Sequence, residues 1–288
     1  MNRATRKLTS ELLVTWLSFS LVAQGVQAAG KILVDGTVTG VKPLVVDAPN
    51  GVPIVNIATP NNSGVSQNFF SEFNIDANGA ILNNSLGHVQ TELGGYIGAN
   101  LQLGEQAANL ILNEVTGASA SDLNGYLEVA GQQAQVIIAN ENGITCDGCG
   151  FINTTGTTLT TGNVNFDSSG NANYQISQGL LSVQGKGLNA ANMAQLTLQG
   201  RNIKVDAPIH AKALTLIAGA NKIVSDGSIT SSNAASGQIS IDTGALGGMY
   251  ANTIRLVSND TGLGVNVAGT VIAQQGELTI DSNGQLTI

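Results

Sequence analysis

The chain has 288 residues, a formal net charge of −8 at pH 7 and only 10% charged residues, with 36 glycines and 5 prolines. An acidic surface repels phosphate backbones and gives no polybasic grip on anionic lipid, which argues against nucleic-acid and membrane-surface partners. Recurrent Leu, Ile and Val argue against disorder, and Gly, Asn, Ser and Thr between short β-branched runs describe an all-β protein with many turns.

Arg3, Arg6 and Lys7 form a positive n-region, Leu12 to Val22 a short apolar run, and Val26-Gln27-Ala28 a small-residue cleavage site. This three-part pattern predicts a secretory signal peptide over residues 1–28, handled by the Sec machinery and cleaved after Ala28. The apolar run is short for a membrane span, and no later segment approaches the ~20 continuous apolar residues that a span needs. Removing residues 1–28 takes away three basic residues and Glu11, leaving 8 basic against 18 acidic residues and a net charge of −10.

Gly30 to about Val55 reads as an N-terminal cap, because a solenoid end exposes unpaired edges and open core. Residues 56–150 are irregular, with turns at Asn61-Asn62, Asn83-Asn84 and Gly94-Gly95, and read as early coils with extra-helical hairpins.

Beyond them the chain repeats. Leu188-Asn189-Ala190, Ile209-His210-Ala211, Ile229-Thr230-Ser231, Met249-Tyr250-Ala251 and Val271-Ile272-Ala273 each place a large apolar residue two before a small one. The small residues are spaced 21, 20, 20 and 22 apart. A short strand such as Leu214-Thr215-Leu216 or Ile254-Arg255-Leu256 follows. Self-similarity near 20 residues marks a solenoid, and without helices the solenoid is a β-helix. Roughly thirteen coils at ~4.8 Å would give a rod of roughly 60 Å. A β-sandwich also shows short strands between turns, but not this regular recurrence.

Cys146 and Cys149 are the only cysteines, spaced C-x-x-C. Behind a secretory signal the pair reads first as a local disulfide pinning a corner. A reduced, unpaired state, a redox pair and a metal site are the alternatives. Zinc needs about four ligands, and His88 and His210 are the only histidines. A thioredoxin-like centre needs a helix start. Both histidines read as surface or rung residues, and neither sits in a hydrolase motif. No dinucleotide glycine motif or calcium-binding nonapeptide is present, so no cofactor, metal or catalytic residue is assigned. Asn140-Glu141-Asn142-Gly143-Ile144 reads as a tight turn in which Asn142-Gly143 supplies left-handed conformations and Asn140 bonds its own backbone.

Several stretches resemble the two-partner secretion (TPS) domain of filamentous-haemagglutinin-like exoproteins, the family of contact-dependent inhibition toxins, large adhesins and haemolysins. They are Pro53 to Ile57, Ile81 to Ser85, Leu110 to Val115, Leu123 to Val129, Val136 to Gly162 and Ala218 to Asn221, together covering roughly residues 30–225. The resemblance implies a right-handed parallel β-helix, in agreement with the repeat. It implies a partner: an outer-membrane TpsB-type β-barrel transporter whose periplasmic POTRA modules recognise the domain. It also implies export through the periplasm to the surface or exterior of a Gram-negative-type cell, followed by folding that templates the rod beyond.

Two Asn motifs mark that family. One falls on Asn140, Asn142, Gly143 and Ile144, with Glu141 where the family usually has Pro; the other falls on Asn100 and Leu103, keeping only its first Asn and its Leu. These six residues are the candidate transporter-recognition set. The cysteine pair after the first motif occurs at that place in a subset of the family.

The expected organisation is thus signal peptide 1–28, secretion domain 29–225, and continuing repeats 226–288 that begin a longer rod whose downstream part would meet a host or neighbour-cell receptor. The rivals are a domain that adheres to host surfaces directly, and a β-helix polysaccharide lyase or hydrolase, which would need carboxylates and bases converging on one face.

Overall fold

The computed structural model describes residues 31–231, 239–261 and 264–288; the signal-peptide reading of 1–28 lies outside them. The described chain is strand and turn throughout except for one 3-10 turn, Leu101–Leu103.

Three parallel ladders run along one axis. The first stacks Val65–Phe73, Leu110–Val115, Ala134–Asn140, Thr154–Thr160, the end of Leu180–Gly200, the end of Pro208–Ala218, Thr253–Ser258 and Leu278–Ser282. The second climbs from Pro53–Asn56 through Ala80–Asn84 and Tyr126–Gly131 to Thr270–Ala273. The third climbs from Ser121–Leu123 through Ile144–Cys146 to Leu286–Thr287. The protein is therefore a parallel β-helix, and its crossovers take the right-handed sense that strand twist favours.

Alternation decides what faces in. Leu196, Leu214, Ile254 and Leu278 stack in register, as do Leu198, Leu216, Leu256 and Ile280. Leu198, Leu216 and Leu256 are fully buried. Each aliphatic side chain covers the one on the coil below, so the core is a set of columns rather than a ball.

Uninterrupted coils have the expected length: Leu196 pairs with Leu214, 18 residues on, Val136 with Thr157, 21 on, and Ile254 with Leu278, 24 on. Others are near twice that, because a hairpin leaves the coil. Ile203 pairs with Ile241, 38 residues on, and between them Asn221–Ile223 and Ile229–Ser231 form an antiparallel pair outside the helix. The expected rung at Ile229-Thr230-Ser231 is thus not a rung. Ile209 pairs directly with Met249, while Leu188, Ile209, Met249 and Val271 do stack. Among the described residues the first ladder has eight strands rather than thirteen. Eight coils at ~4.8 Å span roughly 34 Å.

The excursions bury a second surface. Asn163–Phe166, Ala172–Gln175, Asn221–Ile223 and Ile229–Ser231 form a four-stranded antiparallel sheet. Its Val164, Tyr174 and Ile223 pack on Leu112, Ile137, Ile217 and Val257, on the outside of the first ladder. The hairpin Val89–Thr91/Gly95–Ile97 likewise covers Ile54, Ile81 and Ala130. At the N-terminal end, Ile32–Val34 runs antiparallel to Val65–Phe73, and Leu44–Asp47 antiparallel to Pro53–Asn56, closing the first coil as a cap.

Candidate functional site

The Asn140 turn joins Ala134–Asn140 to Ile144–Ile152. Its backbone closes through Gly143 N donating to Asn140 O at 3.1 Å, and Asn140 Oδ1 accepts from Asn142 N at 2.9 Å. The side chains reach back one coil. Asn140 Nδ2 donates to Ser119 O at 2.9 Å and to Ser121 Oγ at 3.0 Å, and Asn142 Nδ2 donates to Gly117 O at 2.8 Å. Ser121 N returns a bond to Gly143 O at 3.0 Å. Gly143 has φ +120°, and a Cβ there would lie 2.9 Å from Leu180 O, so the position accepts only glycine without rearrangement. The turn is a clasp between successive coils.

Glu141 sits at the second position of this turn, where a proline fits well. Its Oε1 accepts from Asn163 Nδ2 at 2.9 Å. It also shares a cleft with Glu114, Thr116, Gly117, Asn142 and Gln178. Burial, and secondarily the charge of Glu141, push the Glu114 carboxyl up to about 7.

Asn100 makes a second clasp of the same kind. Its Nδ2 donates to Ile57 O at 2.9 Å and Asn83 O at 3.0 Å, and its Oδ1 accepts from Gln102 N at 3.0 Å, opening the 3-10 turn. Gln102, whose position departs from the family motif, bonds Asn56 O at 3.0 Å. Leu103 is a core residue.

Asn100, Leu103, Asn140 and Ile144 are 3%, 2%, 1% and 1% exposed. Of the six marked residues only Asn142 is exposed, although the unmarked Leu101 beside Asn100 is 91% exposed. The two clasps have different partners and are not brought together. Sequence reading missed Asn84 as a member of the set, taking Asn83-Asn84 for a turn. Asn84 is buried at a strand end, with Oδ1 accepting from Ala108 N at 2.7 Å and Nδ2 donating to Ala108 O and Gln132 O at 2.9 Å each. Its only signal was a pair of amides, Asn83-Asn84, following the apolar run Ala80-Ile81-Leu82.

Cys146 and Cys149 are joined in a disulfide with Cα atoms 5.4 Å apart, and both lie in the core. Bonded to each other, they offer no thiolate to a metal. Among the described residues, no group of three His, Cys, Asp or Glu is placed to hold a metal ion. His210 stands on a rung and stacks on Tyr250, and His88 stacks on Tyr96. Among the described residues, the ion pairs Lys31–Glu72, Arg201–Asp260 and Lys204–Asp206 each join one base to one carboxylate.

A family model described as "TPS secretion domain" matches residues 30–288. The chain is 51% identical over 84% of its length to a tRNA nuclease CdiA of Yersinia mollaretii, and 44% identical over 99% of its length to a 16S rRNA endonuclease CdiA of Enterobacter cloacae. It spans about 8% of the length of each of these relatives. Among solved structures it resembles the filamentous hemagglutinin secretion domain, with TM-score 0.73 and 29% identity, covering 89% of this chain and 99% of that one. The β-helix, its cap and its Asn clasps fall within the matched residues, and the chain belongs to the TPS secretion domain family.

Proposed function

We propose that this domain is the N-terminal secretion and folding-nucleation unit of a large exported adhesin- or toxin-type protein. A cognate outer-membrane β-barrel transporter carries it to the cell surface or exterior, and the POTRA modules of that transporter read it in the periplasm. They read Asn100, Leu103, Asn140, Asn142, Gly143 and Ile144 while the chain is still extended, before those side chains become clasps. The observation that carries this reading is the burial of Asn100 and Asn140 in the folded domain. A partner that recognises those amides has to meet them before folding, and folding then withdraws them and releases the chain. Residues 29–225 form the part that is read, and 226–288 continue the rod. The nuclease activities named for the relatives belong to those far longer proteins, and no nuclease role is proposed for this domain.

The test uses the mature chain, residues 29–288, and the purified periplasmic modules of the transporter. The expected result is binding to the denatured, freshly diluted chain and at least tenfold weaker binding to the folded one. Equal binding to both forms would overturn recognition before folding. Undiminished export in cells lacking the transporter gene would overturn the secretion reading itself.

A further inference from the structure

The CxxC disulfide lies where folding closes over it. Cys146 pairs with Leu123 on the coil below and with Val183 on the coil above, and Cys149 pairs with Leu188. Between these pairs the coil above has four residues, Gln184-Gly185-Lys186-Gly187, against two below, so two extra residues loop over the Asp147-Gly148 corner. Asp147 Oδ1 holds that loop, accepting from Lys186 N at 2.9 Å, and Gly187 O lies 3.4 Å from Cys146 Sγ. Cys146 and Cys149 are 0% and 2% exposed and belong to the same core as Ile144, Leu181, Val183 and Leu188.

Thiol–disulfide exchange needs a thiolate that an external sulfur can approach in line. A dithiol in this position would meet neither requirement, because burial among apolar groups keeps thiols protonated and the coil above blocks approach. We infer that the Cys146–Cys149 bond is closed on the extended chain, before residues 181–188 dock, and that folding then locks it.

The step balances with a disulfide-bearing oxidant as co-reactant. One cysteine thiolate attacks a sulfur of that disulfide, forming a mixed disulfide and expelling a thiolate. The second cysteine then attacks the mixed disulfide, forming Cys146–Cys149 and releasing the oxidant as its dithiol. Two electrons and two protons pass to the oxidant in all. The C-x-x-C spacing makes the second attack local, so the chain carries a preformed corner into folding. This ordering does not rest on the export reading.

The experiment has two arms, each read by alkylation and intact mass. In the first, the oxidised, folded mature chain is exposed to dithiothreitol with and without concentrated guanidinium. The bond is expected to persist in the folded protein and to be reduced fully in the denatured one. In the second, the reduced chain is allowed to fold without oxidant and then receives oxidised glutathione. Bond closure is expected to be slowed at least about tenfold relative to the reduced, denatured chain. If the reduced chain does not fold, closure before folding is obligatory and the inference stands. Reduction of the folded protein as fast as the denatured one, or equal oxidation rates for the folded and denatured dithiols, overturns it.

Discussion

Asn140 Nδ2 lies 2.9 Å from Ser119 O, so a buried amide at the end of one coil satisfies a carbonyl in the loop of the coil before it. The amide also bonds Ser121 Oγ and Asn142 N, at 3.0 and 2.9 Å. Truncating it leaves these groups short of partners inside the protein, where each unmade bond costs about 1–3 kcal/mol. Asn140→Ala is expected to lose about 2–4 kcal/mol in a guanidinium titration, and Asn142→Ala, at an exposed position, about 1 kcal/mol or less. Equal losses at the two positions would refute the clasp.

Glu114 gives the fold a pH dependence. Its carboxyl is raised from an ordinary 4.5 to about 7, first by burial and then by Glu141. The folded state therefore binds more protons than the unfolded state between those values, and stability falls as pH rises from about 4.5 to about 7. The loss is expected to be on the order of 2 kcal/mol after allowance for partial solvent screening. Glu114→Gln should flatten this slope. Glu141→Pro should lessen it and add up to about 1 kcal/mol by stiffening the unfolded turn. Chemical denaturation across this pH range is the measurement, and an unchanged slope in Glu114→Gln would rule the assignment out.

Glu128 anchors the extra-helical hairpin. Its two carboxylate oxygens accept from Glu92 N and Leu93 N, each at 2.9 Å, and the residue is buried at 4% exposure. Bonds to an ionised acceptor are worth about 1.5–3 kcal/mol each. Glu128→Ala is expected to release residues 89–97 locally, read as faster amide exchange there with little change in the strand Thr253–Ser258. Uniformly faster exchange along the whole chain would contradict a local anchor.

Asn113 faces inward in the column Asn68–Asn113–Ile138–Leu159, and neither its Nδ2 nor its Oδ1 has a protein partner. Its neighbour Asn68 is satisfied, accepting from Ala58 N at 2.8 Å and donating to Leu112 O at 3.0 Å. Asn113→Leu extends the aliphatic column and removes an unmet buried amide. A stability gain of about 1–2 kcal/mol is expected from thermal melting. A lower melting temperature would show that the amide is satisfied inside the fold after all.

The sequence alone carried the architecture, because a β-helix writes its core as periodic local patterns. Leu196, Leu214, Ile254 and Leu278 each open a short apolar-polar-apolar triplet, and neighbouring coils stack like with like. The turn at Asn142-Gly143 and the pairing of two cysteines three residues apart are likewise short-range features. Which repeats become rungs was decided only in three dimensions. Ile229-Thr230-Ser231 has the rung pattern, yet its apolar residue packs beside Ile223 and Tyr174 outside the helix. An alternating strand looks the same whether its apolar face meets the interior or the outer wall of another ladder. The roles of Asn84, Asn100 and Asn140 were hidden for a related reason. An asparagine after a strand signals a turn from sequence, whereas the carbonyls that bury its amide belong to residues 17–48 positions away, which only the stacking of coils brings near.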